Sequence, residues 1–127
     1  MGNVALVTGG SRGIGLAIVR KLAERGYDVA INYRVSREAA EQAAAELREQ
    51  GRRAAAFSAD VADSAQVAEM FRAAAQTLGP VEVLVNNAGV ALPGAVFQDV
   101  DDAAWDRAFA VNVGGMRNTI RAALPHM

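Results

Sequence analysis

The 127-residue chain predicts an α/β fold built on a doubly wound parallel sheet. Three observations carry that reading. Short apolar runs alternate with longer helical patterns along the chain, the order of a sheet joined by helical crossovers. The runs are continuously apolar, as strands covered on both faces are. Most connections are short turns marked by glycine, as a compact domain prefers. Right-handed crossovers follow from a parallel sheet. No linker, low-complexity tract or solenoid repeat interrupts the pattern, so residues 1–127 are read as one domain.

The first strand runs from Val4 to Thr8 and feeds the turn Gly9-Gly10-Ser11-Arg12-Gly13-Ile14-Gly15. A helix follows from about Ile14 to Arg25, burying Ile14, Leu16, Ala17, Ile18 and Leu22, with Gly26 as its stop. The second strand is Asp28 to Tyr33. Ser36 is placed to cap a second helix that continues to Gln50, with Gly51 as the stop. The third strand is Arg53 to Ser58. Asp63 then caps a third helix, and Gln66 three residues on makes a near match to a capping box. That helix ends at Leu78, before the break Gly79-Pro80. The fourth strand, Val81 to Val85, leads into Asn86-Asn87-Ala88-Gly89 and a loop with Pro93 and Gly94. Asp101 caps a last long helix carrying Trp105, Phe109 and Asn112, with a bend at Gly114-Gly115, that reaches Leu124.

Composition narrows the function classes. Hydrophobic residues are 52% of the chain, above the roughly 45–50% of ordinary globular proteins, so a real core is expected. The net charge of −1 creates no field that favours nucleic acid or an anionic membrane. Cysteine is absent, which removes disulfide and thiolate chemistry. His126 is the only histidine, and no metal site is expected. No apolar stretch reaches the ~18 residues of a membrane span, and no signal region precedes the first strand. Met1-Gly2 opens like a myristoylation signal, but Leu6 stands where serine or threonine is needed. A cytoplasmic protein is the expectation. Lys21 is the only lysine among 13 basic residues, the rest being arginine.

A strand feeding a glycine turn and then a helix is a phosphate-binding device. The helix N-terminus offers free N–H groups and a partial positive charge, and glycines let a ligand approach bare backbone. The spacing is G-x-x-x-G-x-G, and no Gly-Lys-Ser/Thr of a Walker loop occurs. The end of the second strand selects the nucleotide: an acidic residue there favours the free ribose hydroxyl of NAD, and arginine favours the 2′-phosphate of NADP. Here stand Asn32-Tyr33-Arg34, with Arg12 in the glycine turn. Two guanidinium groups suit a phosphate dianion, so NADP(H) is expected. The alternative is a pair of solvated surface arginines. Asp60 can accept from the adenine amino group with Val61 over one ring face, or the pair can be a simple turn and cap. Asn86 and Asn87 can tie neighbouring loops beside the first strand, and Gly89 leaves room for sugar and pyrophosphate.

Taken together, Thr8-Gly9 through Gly13-Ile14-Gly15, Asp60-Val61, Asn86-Asn87-Ala88-Gly89 and Val111-Asn112 resemble the classical short-chain dehydrogenases/reductases, whose fold is Rossmann-like. The resemblance covers this whole chain but about the first half of a typical member. It implies that Gly9, Gly13 and Gly15 shape the pyrophosphate turn. Ser11, Arg12 and Ile14 would lie along the cofactor, and Arg34 would face the 2′-phosphate. Asp60 and Val61 would hold the adenine, and Asn87, Ala88 and Gly89 the ribose and diphosphate region. Asn112 would be the first member of a catalytic Asn-Ser-Tyr-Lys set, its backbone helping to hold a proton-relay water. The wording Ile31-Asn32-Tyr33-Arg34 resembles the 3-oxoacyl-carrier-protein reductase branch.

The family's tyrosine acid with a lysine four residues on has no counterpart. The tyrosines are Tyr27 and Tyr33, followed at that spacing by Ile31 and Arg37. A fold truncated after four strands and the following helix is therefore expected, catalytically incomplete by itself. An open edge on the fourth strand would recruit a second copy or a complementary segment. Three readings remain open: the cofactor half of a carbonyl reductase, a free-standing dinucleotide-binding module, or a half-fold without chemistry.

Overall fold

The structure is a computed structural model that describes residues 3–92, 94 and 96–127. Strands β1 (Val4–Val7), β2 (Asp28–Tyr33), β3 (Ala54–Ser58) and β4 (Val81–Val85) form one parallel sheet in the order β3-β2-β1-β4. Helices α1 (Gly13–Glu24), α2 (Arg37–Glu49) and α3 (Ser64–Thr77) make the crossovers. After β4 come α4 (Asp102–Phe109), a π turn (Ala110–Gly114) and α5 (Gly115–Ala123). The strand order reverses between β1 and β4, which is the switch point of a Rossmann-like sheet.

The apolar strands are covered on both faces because successive side chains point to opposite sides. Val7, Val29 and Ile31 pack with Val19 and Ala23 of α1 and Ala43, Ala44 and Leu47 of α2. Val4, Leu6, Ala30 and Val81 pack the other way, on Val67, Met70 and Phe71 of α3 and Ala123 of α5. Leu6 and Ile31 are wholly buried. Each such side chain stabilises the fold by roughly 2–3 kcal/mol relative to exposure.

The helix ends follow local chemistry. Gly26, Gly51 and Gly79 leave α1, α2 and α3 with φ of +97°, +85° and +120°, a region open mainly to glycine. Asp63 caps α3 by accepting from Ala65 N at 3.0 Å and Gln66 N at 3.1 Å. The capping box does not close: Asp63 N already donates to Asp60 O, and Gln66 Oε1 accepts instead from Asp60 N at 2.9 Å. Asp101 caps α4 through Ala103 N, whereas Ser36 stands at the N-cap of α2 without a side-chain bond. Arg53 lies just before β3, and its guanidinium donates to the Thr77 and Leu78 carbonyls at the end of α3.

Two expectations shift. The buried face of α1 is Gly15, Val19 and Ala23, with Leu16, Ile18 and Leu22 partly buried, while Ile14 is 75% exposed and Ala17 is exposed. The first turn of α1 overhangs the ends of the strands, so Ile14 meets the cleft instead of the sheet. The last helix is disturbed one turn before the expected bend, by the π turn that ends at Gly114. A Cβ at Gly115 would stand 2.7 Å from Val61 Cγ2, so glycine there admits close packing onto the turn after β3. Pro93, in the loop expected after β4, lies outside the described residues, as do Met1 and Gly2.

β4 pairs with β1 alone among the described residues and forms one edge of the sheet. Trp105, Phe109, Val113, Met116, Ile120 and Leu124 are exposed along α4, the π turn, α5 and the short 3-10 turn that follows it. Phe97, Trp105 and Phe109 form an aromatic ladder with ring centroids 6.0 and 5.3 Å apart. Among the described residues, no helix is long and apolar enough to cross a membrane.

Candidate functional site

The carboxyl ends of the four strands open into a cleft of about 420 Å³. It is lined from β1 and α1 by Gly9, Ser11, Arg12, Gly13 and Ile14; after β2 by Tyr33 and Arg34; after β3 by Asp60 and Val61; and after β4 by Asn87, Ala88 and Gly89. A groove of about 470 Å³ between α1 and α2 is larger, but helix side chains wall it and the Arg20–Glu46 ion pair sits in it. The strand-end cleft is the better site, because loop backbone and charged side chains converge there from four elements.

The floor is held by side chains engaged on backbone groups. Thr8 is almost wholly buried, and its Oγ1 accepts from Asn87 N and Ala88 N, both at 2.9 Å. Asn87 Nδ2 donates back to Thr8 O at 3.1 Å and Gly9 O at 3.0 Å. These bonds clamp the turn after β4 onto the glycine turn. Asn32, 2% exposed, ties three strands: its Oδ1 accepts from Gly9 N at 3.1 Å, and its Nδ2 donates to Ala59 O at 3.2 Å. Asn86 points the other way and accepts from Thr119 Oγ1 at 2.6 Å, anchoring α5.

Gly15 lies beneath the cleft instead of lining it. A Cβ there would overlap Gly9 O and stand 2.5 Å from Asn87 Nδ2. Gly9 and Gly13 take φ of +60° and +58°, so the turn uses the left-handed region twice. No side chain caps α1, and no acidic residue stands in its first turn. The amides at its N-terminus therefore keep their positive potential at the cleft. Among the described residues, no carboxylate lies within ion-pair distance of Arg12 or Arg34.

Asp60 is bound on both oxygens. Its Oδ1 accepts from Ala62 N at 3.0 Å, and Oδ2 from Arg107 Nη1 at 3.0 Å. Partial burial pushes its carboxyl up. The Arg107 hydrogen bond, the Ala62 N–H and the charges of Arg107 and Arg34 outweigh this and hold it below the ordinary value. Asn112 stands apart from the lining residues. Its Oδ1 accepts from Val90 N at 2.8 Å and its Nδ2 donates to Val90 O at 2.9 Å, so the side chain pins the segment after Gly89 to the π turn. A Cβ at Gly89 would stand 3.1 Å from Asn112 Oδ1.

The structure thus brings together Gly9, Ser11, Arg12, Gly13, Ile14, Arg34, Asp60, Val61, Asn87, Ala88 and Gly89 around one cleft, with Gly15 below and Asn112 behind. Arg107 and the anchoring roles of Thr8 and Asn32 escaped sequence reasoning. The signal for Arg107 was its place four residues before Val111, which also lines the cleft. These residues suit a dinucleotide with an added phosphate: an uncapped helix end and open amides for the diphosphate, two guanidinium groups for a second anion, and a carboxylate for an amino donor.

Comparison with known proteins agrees with this geometry. Residues 3–127 match the short chain dehydrogenase family model. The chain is 41% identical over 123 residues to the 3-oxoacyl-[acyl-carrier-protein] reductase FabG of Staphylococcus aureus, covering 97% of this chain and 50% of that protein. It is 38% identical to 2,3-dihydro-2,3-dihydroxybenzoate dehydrogenase of Bacillus subtilis, covering 99% and 48%. A short chain dehydrogenase from Burkholderia cenocepacia, solved in complex with NADP, superposes with a TM-score of 0.94 at 41% identity, covering 100% of this chain and 51% of that one. A blue fluorescent protein from a metagenomic library, in complex with NADPH, gives 0.92 at 46% identity, covering 99% and 51%. The chain spans about half the length of the relatives it matches. With the glycine turn, the Asn-Asn-Ala-Gly clamp and the strand order all in place, the chain belongs to the short-chain dehydrogenase/reductase family.

Proposed function

We propose that this chain holds NADP(H) for a short-chain oxidoreductase that reduces a carbonyl, a 3-oxoacyl thioester being the substrate class suggested by its reductase relatives. The observation that carries the reading is the pair of guanidinium groups, Arg12 and Arg34, flanking the uncapped end of α1 where no carboxylate closes β2. Gly9, Ser11, Gly13 and Ile14 offer the surface for the diphosphate, with Gly15 letting the turn pack. Asn87, Ala88 and Gly89 border the sugar, and Asp60 and Val61 receive the adenine. Asn112 positions the segment beside the nicotinamide end through Val90. When bound, the reduced dinucleotide supplies a hydride equivalent; this chain's residues bind and orient it.

Titration calorimetry with NADPH and NADH tests the reading. NADPH is expected to bind more tightly by about tenfold or more, the worth of one or two charge-assisted hydrogen bonds. Arg34→Asp should remove or reverse that preference. Equal binding of the two cofactors, or binding of neither, would refute it.

Reduction by this polypeptide alone is expected to be negligible, since no tyrosine is followed by a lysine at the family's spacing. The reading that it acts with a second copy or a complementary segment draws on the apolar row from Trp105 to Leu124 and the free edge of β4. Light scattering of the chain alone, then with a separately expressed second half of a relative, tests that reading. A monodisperse monomer that ignores the added half would overturn it.

A further inference from the structure

The order of the strand ends sets the two open guanidinium groups at different places along a bound nucleotide. In the sheet order β3-β2-β1-β4, Asp60 follows β3, Arg34 follows β2, and Arg12 comes after β1, at the N-cap of α1. Neighbouring strand ends are about 4.8 Å apart. Of the two arginines, Arg34 is the one whose charge bears on the Asp60 carboxyl. An adenosine diphosphate laid across these ends has its groups in a matching order: the base, the ribose C2′ next to the base, C3′ on the far side of C2′, then the diphosphate. With the base at Asp60 and the diphosphate at the amides of α1, the 2′-oxygen falls to Arg34 and the 3′-oxygen to Arg12. NADP carries its extra phosphate on the 2′-oxygen, which leaves Arg12 beside an unphosphorylated 3′-hydroxyl. Past the diphosphate the cleft is less selective. Its wall after β4 is Asn87, Ala88, Gly89 and Val90, none of them charged, and the Asn87 amide nitrogen already donates to Thr8 O and Gly9 O. The groups of this chain that decide binding therefore face the adenosine diphosphate half of the ligand.

We propose that the cleft is also a site for a 3′-phosphorylated adenosine diphosphate, the head of coenzyme A, with Arg12 as the residue that receives the 3′-phosphate. The uncharged pantetheine tail then runs past Gly89 and Val90, and coenzyme A and NADPH exclude each other from one cleft. The inference rests on the NADP(H) reading for the placement of base and diphosphate. It adds a second ligand class and a role for Arg12 separate from that of Arg34.

The test is calorimetry with coenzyme A and dephospho-coenzyme A, which lacks only the 3′-phosphate, each alone and in competition with NADPH. Coenzyme A should bind, be displaced by NADPH, and exceed its dephospho form by about tenfold or more. Arg12→Ala should bring coenzyme A down to the dephospho level, and Arg34→Ala should weaken NADPH more than coenzyme A. The backbone at Arg12 is extended, with φ −159°, and suits any residue. Arg12→Lys keeps the charge without the planar fork and should fall between the native chain and the alanine variant. Equal binding of coenzyme A and its dephospho form would overturn the proposal, as would an equal loss of both in Arg12→Ala. Coenzyme A that NADPH does not displace would overturn it too. If NADPH binds and coenzyme A does not, this inference fails and the NADP(H) reading stands. If neither binds, both fail.

Discussion

Thr8→Val is the sharpest probe of how the cleft is held open in the right shape. Valine has the shape of threonine, so the substitution leaves no cavity under the glycine turn. It removes the oxygen that accepts from Asn87 N and Ala88 N, both at 2.9 Å. An amide left without an acceptor in a buried setting costs about 1–3 kcal/mol. Asn87 and Ala88 are only partly buried, so water can relieve some of that loss. Taking the lower half of the range for each amide gives a destabilisation of about 2–4 kcal/mol. For a chain of this size, about 4 °C per kcal/mol places the melting temperature roughly 10 °C lower. Thr8→Ser keeps the oxygen and loses one methyl, which costs about 1 kcal/mol. Thermal and urea unfolding of the three proteins, run with an adenosine 2′,5′-bisphosphate titration, checks the ranking. Valine should be the worst of the three in both stability and affinity. A valine variant as stable as the serine variant, with unchanged binding, would show that the clamp between the two turns does not depend on this hydroxyl.

Gly15→Ala should destabilise by about 3 kcal/mol and weaken cofactor binding, because the new methyl meets backbone at Gly9 O; wild-type behaviour by calorimetry would count against the packing described. Gly13→Ala meets no atom within 4 Å but sits at φ +58°, so roughly 1–2 kcal/mol of backbone strain is expected in unfolding experiments, with no steric component. Asn32→Asp keeps the acceptor for Gly9 N and turns carboxylate oxygen toward carbonyls that Asn32 Nδ2 now serves, so unfolding in urea should show a loss of about 2 kcal/mol or more, without a switch to NADH. Asp60 has a depressed carboxyl in the folded state, so its contribution is complete well above the ordinary value of 3.8 and is lost as pH falls through the lower folded value. The gap in melting temperature between the native chain and Asp60→Asn should close across that acid window; a gap that widens there would reverse the sign.

Elements were legible where one residue's backbone chemistry decides the outcome. Gly26, Gly51 and Gly79 end helices at positive φ, and Asp63 and Asp101 begin them by accepting amide hydrogens. β2 and β4 lie at the predicted residues because apolar runs bounded by turns leave little freedom. Periodicity misjudged α1, since a helix stripe says which residues share a face but not how far the sheet extends beneath it. Ile14 belongs to the stripe and overhangs the sheet. The π turn was illegible because no local pattern announces it; it precedes tertiary contacts of the same helix, the close approach at Gly115–Val61 and the Asn118 bond to Val61 O. At the site, the phosphate-facing residues were legible as a contiguous glycine motif. The Asp60–Arg107 pair was not, because 47 positions separate two residues that each read locally as a cap and a solvated helix charge.

The polar groups of the cleft divide into two sets, and the division argues for its ligand. Thr8, Asn32, Asn87 and Asn112 are neutral and engaged on backbone, holding three turns and the π turn in fixed relation. Arg12, Arg34 and the first amides of α1 face the cleft, and no carboxylate of the described chain lies within ion-pair distance of either guanidinium. Asp60 is the acidic group lining the same cleft, set at its other end and already neutralised by Arg107. A scaffold that engages its neutral groups and leaves its positive ones open holds a positive potential that an anion relieves. The ligand that relieves most of it carries phosphate at both guanidinium groups and the helix end, and an uncharged amino-bearing ring at Asp60. Salt should therefore weaken NADPH more than NADH, because screening acts on the diphosphate of both and on the extra phosphate of NADPH besides.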